Sequence, residues 1–280
     1  MKIGTLADWF GVGLLEGIRE SERCGAEGVQ VYAAGELNPM TATPGQAKAI
    51  RDVARGCGQT VTALCGELGG HGLSVAGDNK EKLDYLRRTV DLALELDCRV
   101  VTTHIGVVPA DKAHPRYRVL RDACMEIGEY AAARGSCIAV ETGPEKIAVL
   151  RAFVDDCGKG VAINYDPANI VMVTSDDEVG GVYTAGSAIV HTHAKDGRSN
   201  RYIAAEEFYQ KFAEGGLEWA ATADYCTELP LGEGSVRWPQ YIMALRDVGY
   251  QGFLTIEREV KNGAEDIRMA VRFLQKILAL

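Results

Sequence analysis

No stretch of this 280-residue chain approaches the ~18 apolar residues that a membrane-spanning helix needs. Its opening, Met1-Lys2-Ile3-Gly4-Thr5-Leu6-Ala7-Asp8, lacks the apolar core of a signal peptide, so a soluble, cytoplasmic protein without a membrane partner is expected. Positive charge is scarce. Thirty Lys+Arg face 39 Asp+Glu, a formal net charge of −9 with a sequence pI of about 5.2, which argues against a surface built to neutralise nucleic-acid phosphates. The eight cysteines, Cys24, Cys57, Cys65, Cys98, Cys124, Cys137, Cys157 and Cys226, form no CxxC pair and no cluster. A disulfide scaffold and a thiolate metal site are therefore disfavoured, and small core residues in a reduced compartment are expected.

Other absences bear on organisation. No Ser/Pro-rich, low-complexity or long charged stretch breaks the chain, so residues 1–280 read as one domain. Gly11-Val12-Gly13 lacks the third glycine of a dinucleotide fingerprint, and no GxxxxGK[ST] occurs; nucleotide binding is not indicated. What is present is the composition of a globular chain, 47% hydrophobic and 25% charged, which excludes disorder.

Strand-like runs recur at Lys2–Leu6, Gly28–Tyr32, Thr60–Leu64, Arg99–His104, Ser136–Glu141, Gly160–Tyr165, Ala188–His193 and Gly252–Glu257. They are short and rich in Val, Ile and Thr, and several are continuously apolar, as parallel strands covered on both faces should be. Helical spacing of apolar residues marks Leu14–Gly25, Gln46–Gly58, Lys80–Leu96, Arg116–Arg134, Lys146–Asp156, Pro239–Val248 and Ala264–Leu280, with a short stub expected in Ser175–Gly186. Eight β-then-α units of about 35 residues each make an α/β fold, a single (β/α)₈ barrel.

The active site of such a barrel lies at the carboxyl ends of its strands. Five consecutive strands end there in an acid or an imidazole: Thr103-His104, Val140-Glu141-Thr142-Gly143, Asn164-Tyr165-Asp166-Pro167-Ala168-Asn169, His191-Thr192-His193-Ala194-Lys195-Asp196 and Thr255-Ile256-Glu257-Arg258-Glu259. Glu141, Asp166, His193 and Glu257 form a set of three carboxylates and one imidazole. That set suits a hard or borderline divalent ion, Mn²⁺ first, with Mg²⁺ or Co²⁺ as alternatives. Singly, each is as readily a helix cap or a loop contact.

The units VETG, NYDPAN, HTHAKD and TIERE, in this order on strands five to eight, resemble the xylose-isomerase-like TIM barrels, a superfamily of sugar isomerases, ketose 3-epimerases, inosose-processing enzymes and apurinic endonucleases. The resemblance spans essentially the whole chain. It implies that Glu141, Asp166, His193 and Glu257 are the ligands of one divalent metal ion. It also implies that Glu141 and Glu257 are catalytic, moving a proton next to a carbonyl through a metal-bound enediolate. The expected activity is that of a sugar or polyol isomerase or epimerase on a small carbohydrate; the alternative is a lyase or dehydratase acting on a 3-keto sugar, 3-keto glycoside or inosose after the same deprotonation. His191, two residues before His193 on the same strand face, reads as a supporting group or a satisfied core histidine.

Departures narrow the resemblance. The epimerases commonly carry histidine where Asn169 stands; Arg198 is a candidate for their downstream arginine; Lys195-Asp196 looks more like the inosose-processing branch; Glu145 is an inexact counterpart of a substrate-binding glutamate. The endonuclease branch needs histidines that this chain lacks, with Cys65-Gly66-Glu67 and Asn169 at two of the places. Substrate-binding candidates are thus Trp9, Glu67, His104, Asn169, Lys195 and Arg198, with packing or loop contacts as the plainer reading of Trp9, Glu67 and His104. His71 and His114 are assigned no role. Lys195 also admits a Schiff-base aldolase, although a hydrogen-bonded or ion-paired lysine fits its place beside Asp196 better. A sugar-binding module without catalysis would not need the acid cluster. Phosphorylation of the substrate and the oligomeric state, a homo-oligomer included, are left open.

Overall fold

The computed structural model describes residues 1–213, 222–258 and 263–279. Eight parallel strands close into a barrel: β1 (Lys2–Leu6), β2 (Gly28–Tyr32), β3 (Thr60–Cys65), β4 (Val100–Thr103), β5 (Cys137–Glu141), β6 (Val161–Tyr165), β7 (Ile189–Ala194) and β10 (Phe253–Ile256), in the order β1-β10-β7-β6-β5-β4-β3-β2. Each sits within a residue or two of its expected place. The (β/α)₈ architecture is therefore the one the alternation predicts, because parallel neighbours need a crossover helix on the outside.

The crossover helices are α1 (Leu14–Arg23), α2 (Pro44–Gly56), α3 (Asn79–Glu95), α4 (Pro115–Ala132), α5 (Ile147–Cys157), the six-residue α6 (Gly180–Ala185), α8 (Trp238–Asp247) and α9 (Gly263–Leu278). Caps set their starts. Thr43 and Gln46 form a reciprocal capping box with Pro44 at the first helical position, so α2 begins two residues before its apolar periodicity does. His114 accepts from the Arg116 N–H and opens α4. The apolar faces of the helices and the outer faces of the strands merge into one core that includes Ile18, Leu64, Leu86, Ile127, Phe153, Ile163 and Leu245. The turn into β6 packs tightly on α4: Gly160, at φ +78°, would drive a Cβ to 2.0 Å from the Gly128 carbonyl oxygen, so only glycine lets the chain approach that helix there.

Unit seven holds the departure from the expected rhythm. Between β7 and α8 the chain forms β8 (Asp196–Ser199), α7 (Ala205–Ala213) and β9 (Cys226–Leu229), with β8 and β9 pairing as an antiparallel ribbon. The Asp-Gly-Arg-Ser of β8 carries turn chemistry rather than strand periodicity, so local sequence hides it. Phe208 of α7 packs with Ala168, Met172, Val173 and Ile203 in a small second cluster, over the irregular Ile170–Thr174 turn that follows β6. Among the described residues no helix is long and apolar enough to cross a membrane.

Candidate active site

Inside the barrel, polar side chains replace the usual apolar layers. Gln30 donates from Nε2 to Thr102 Oγ1 at 3.1 Å, which leaves its Oε1 3.0 Å from His193 Nε2. An amide oxygen can only accept, so Nε2 carries a proton and Nδ1 is the ring nitrogen that can offer a lone pair to a cation; burial opposes charge on the ring, but Glu257 and Glu141 outweigh it and raise its basicity well above the ordinary value. On the next layer His191 donates from Nδ1 to Asn164 Oδ1 at 2.8 Å, and Thr255 Oγ1 lies 3.0 Å from His191 Nε2. Asn164 in turn donates to Glu141 Oε2 at 3.0 Å. His191 is thus a satisfied buried histidine that supports Glu141 through Asn164; burial and the neighbouring His193 push its basicity well down.

His193 Nδ1 faces three carboxylates: Glu257 Oε2 at 3.3 Å, Glu141 Oε1 at 3.4 Å and Asp166 Oδ2 at 3.8 Å. Each acid reaches this point for a local reason. Asp166 caps the turn after β6, its Oδ1 accepting from the N–H groups of Ala168 and Asn169, and its backbone is tied to Thr142 Oγ1; only Oδ2 is left to point inward. Asn169 donates to Glu141 Oε1 at 3.1 Å. Lys195 Nζ donates to Glu257 Oε2 at 3.0 Å and lies 3.8 Å from Glu228 Oε2, while Arg258 holds the other Glu228 oxygen at 2.6 Å. Burial disfavours the Glu257 anion, yet His193 and Lys195 outweigh this and hold its carboxyl well below the usual range.

Asp166 Oδ2 and His193 Nδ1 are buried without a hydrogen-bond partner. Orphans of that kind are costly unless something else satisfies them. The four ligand atoms lie within 4.8 Å of one another, and separations of 3.3–3.8 Å match two donors each ~2.1–2.3 Å from one shared ion. Donor set, tautomer and unpaired atoms all fit a divalent cation, with the Gln30 and Asn164 contacts orienting its ligands.

Above this group opens a cavity of about 590 Å³. Glu141 and Glu257 belong to its wall; Asp166 and His193, 0% and 1% exposed, do not. Of the substrate-binding candidates, Glu67, His104, Asn169 and Lys195 line it. Glu67 and His104 pair at 2.9 Å; burial opposes charge on the ring, but Glu141 and Glu67 outweigh it and lift His104 to about 10. Trp9 and Arg198 are not in the wall. Trp9 sits in the Ala7–Phe10 turn and packs on the core, and Arg198 is exposed on β8 because the ribbon turns its side chain outward. Glu259 lies outside the described residues.

Several residues of the site carried no recognisable sequence signal. Gln30 and Asn164 are mid-strand amides that only ring closure brings to the acids, and Tyr209 comes from the unexpected α7. A Cβ on Gly143, at φ +149°, would stand 2.5 Å from Tyr209 Oη, so this glycine makes room for the tyrosine over the strand-five loop. Asp196 proves structural: 1% exposed, it accepts from the N–H groups of Gly197, Gly232, Gly234 and Val236 and from Trp238 Nε1, pinning the loop before α8.

Residues 18–277 match the model of the xylose isomerase-like TIM barrel family. The chain belongs to that family. A xylose isomerase domain protein from Planctomyces limnophilus superposes with a TM-score of 0.80 at 25% identity, covering 99% of this chain and 96% of that one. The probable 3-DHS dehydratase AsbF of Bacillus anthracis gives 0.78 at 17% identity, with 98% and 99% covered. A D-psicose 3-epimerase solved in the presence of D-fructose gives 0.73 at 18%, with 99% of each chain covered. The last two likenesses bear on the fold alone. In sequence, the uncharacterized protein YfiH of Bacillus subtilis (strain 168) is 27% identical over 142 residues, 49% of this chain. The chain spans 42% of that relative's length in this match.

Proposed function

We propose that this chain is a divalent-metal-dependent sugar or polyol isomerase or epimerase, with Mn²⁺ as the working ion and Glu141, Asp166, His193 and Glu257 as its ligands. The observation that carries the reading is the pair of unpartnered buried atoms, Asp166 Oδ2 and His193 Nδ1, beside two glutamates that open onto a cavity. The bound ion would supply Lewis acidity to a substrate carbonyl oxygen. Glu141 and Glu257 come from strands three places apart around the ring, so their carboxylates can address a substrate carbon from opposite faces. One takes the proton from the carbon next to the carbonyl, the C–H electron pair moves toward the carbonyl oxygen, and the other returns a proton. Return on the opposite face is epimerisation; return at the neighbouring carbon is isomerisation.

A lyase reading is favoured by one feature. Lys195 Nζ, 3.0 Å from Glu257 and part of the cavity wall, is placed to donate a proton to a departing hydroxyl or alkoxide after the same first step. Among relatives of this fold both an epimerase and a probable dehydratase occur, which keeps both outcomes in view. The test is incubation with ketoses, inososes and 3-keto glycosides in D₂O with Mn²⁺, following exchange by NMR and product by mass. Glu141→Gln and Glu257→Gln should lose net conversion even when metal-replete, since an amide is no base at neutral pH. A metal-replete Gln variant turning over like wild type would reduce that glutamate to a structural ligand. Asp166→Ala should lose the ion while keeping the fold.

A further inference from the structure

Tyr209, on α7, is a half-buried member of the cavity wall. Its helix is held over the cavity from two sides: Phe208 packs into the second hydrophobic cluster, and Glu206 accepts from Arg116 at the start of α4. The phenol reaches down to the loop after β5. A Cβ on Gly143 would stand 2.5 Å from Tyr209 Oη and 3.1 Å from the Asn169 Cβ, which puts the hydroxyl against the loop two residues beyond Glu141 and beside the amide that holds Glu141 Oε1. Other polar groups close to Glu141 are engaged: Asn164 and Asn169 donate to it, and His104 is tied to Glu67. Tyr209 Oη has no hydrogen-bond partner among the described residues. Burial, and then the Glu141 anion, push the phenol far above its ordinary value against the pull of Lys195, so Oη keeps its proton and stays a donor. Packing alone does not call for that hydroxyl, since a phenylalanine ring would fill the same place without a polar group to satisfy.

We infer that Tyr209 is a catalytic residue whose Oη donates a hydrogen bond to the substrate oxygen on the carbon that faces Glu141. This rests on the proposed deprotonation next to a carbonyl and adds a division of labour to it. When Glu141 takes the proton from that carbon, the C–H pair becomes the carbon–carbon double bond and the carbonyl pair moves onto oxygen, which leaves an oxygen at each end of the double bond. The one beside Tyr209 gains electron density, so its bond from the phenol strengthens in the transition state. No proton leaves Tyr209, nothing is oxidised or reduced, and the same contact serves the return direction. Lys195 is the counterpart at Glu257, to which it donates. Each glutamate thus has a donor beside it, and the donor at Glu141 arrives only with α7.

The experiment compares Mn²⁺-loaded wild type and Tyr209→Phe on D-sorbose, D-ribulose, scyllo-inosose and methyl 3-keto-glucoside in D₂O, with exchange followed by NMR. The substitution removes one oxygen and keeps the ring that meets Phe208 edge-on. For the compound that exchanges, kcat should fall about 10–100-fold with KM changed by less than about threefold, while Mn²⁺ affinity by calorimetry stays within about twofold of wild type. The mono-deoxy analogues of that compound then separate a direct contact from a structural role. On the analogue lacking the oxygen that Tyr209 holds, wild type and variant should run at the same rate, because each change removes the same hydrogen bond; on the others the full loss should persist. A variant with wild-type kcat, or a loss of equal size on every analogue, overturns the inference and leaves the proposed function standing. Loss of Mn²⁺ binding by the variant would make Tyr209 a support of the metal ligands and overturns it as well. No exchange by wild type with any of the compounds removes both.

Discussion

Glu145 offers the sharpest test of the physics of this mouth. It follows β5, is 8% exposed, and receives one hydrogen bond to its carboxyl from the Val108 N–H at 3.2 Å. Burial pushes this carboxyl up from 4.5 to about 8. Between those values the folded chain holds a proton that the unfolded chain has released, so the folded state binds more protons. Stability therefore falls as pH rises from the unfolded value through about 8, and the loss is complete above it. At ~1.36 kcal/mol per pH unit the full effect is about 5 kcal/mol as an upper bound. Glu145→Gln keeps the shape and an oxygen for Val108 but never ionises. In urea unfolding with chelator present, the variant should lie within ~1 kcal/mol of wild type at pH 5 and be several kcal/mol more stable at pH 9. Groups common to both proteins cancel in the difference. A difference that does not change with pH, or a variant weaker at pH 9, would refute the reasoning.

Three further outcomes are expected. Asp196→Ala should cost about 3 kcal/mol or more, since five N–H donors, three of them in buried bonds, lose their acceptor; a thermal melt matching wild type would show that the loop before α8 does not depend on it. Gln30→Leu removes the acceptor that holds His193 Nε2–H and should weaken Mn²⁺ binding by roughly 10–100-fold, measured by calorimetry on folded protein. Lys195, engaged by Glu257 and Glu228, should form no imine. Borohydride with a turned-over carbonyl substrate should leave the protein's mass unchanged, and an adduct on Lys195 would establish the aldolase route.

The alternation of short apolar strands with amphipathic helices was enough to specify the barrel, because parallel strands buried on both faces and crossover helices leave strong periodic signatures. The acids Glu141, Asp166 and Glu257 and the imidazole of His193 were legible for a related reason: in this fold, position at a strand's carboxyl end decides convergence, and strand ends are readable one at a time. Local sequence could not show what depends on ring closure. Gln30, Asn164, Glu141 and His193 are far apart in the chain, and the Gln30 contact that places the His193 Nε2 proton and the Asn164 bond that orients Glu141 exist only once β2, β5, β6 and β7 share one interior. Nor could it show the ribbon and helix of unit seven, where Asp196 looked like part of a chemical motif and tertiary structure made it the anchor of a loop. Trp9 and Arg198 followed the same rule in reverse. Their residue types suited a sugar, but side-chain direction is settled by packing, and packing turned one onto the core and the other into solvent.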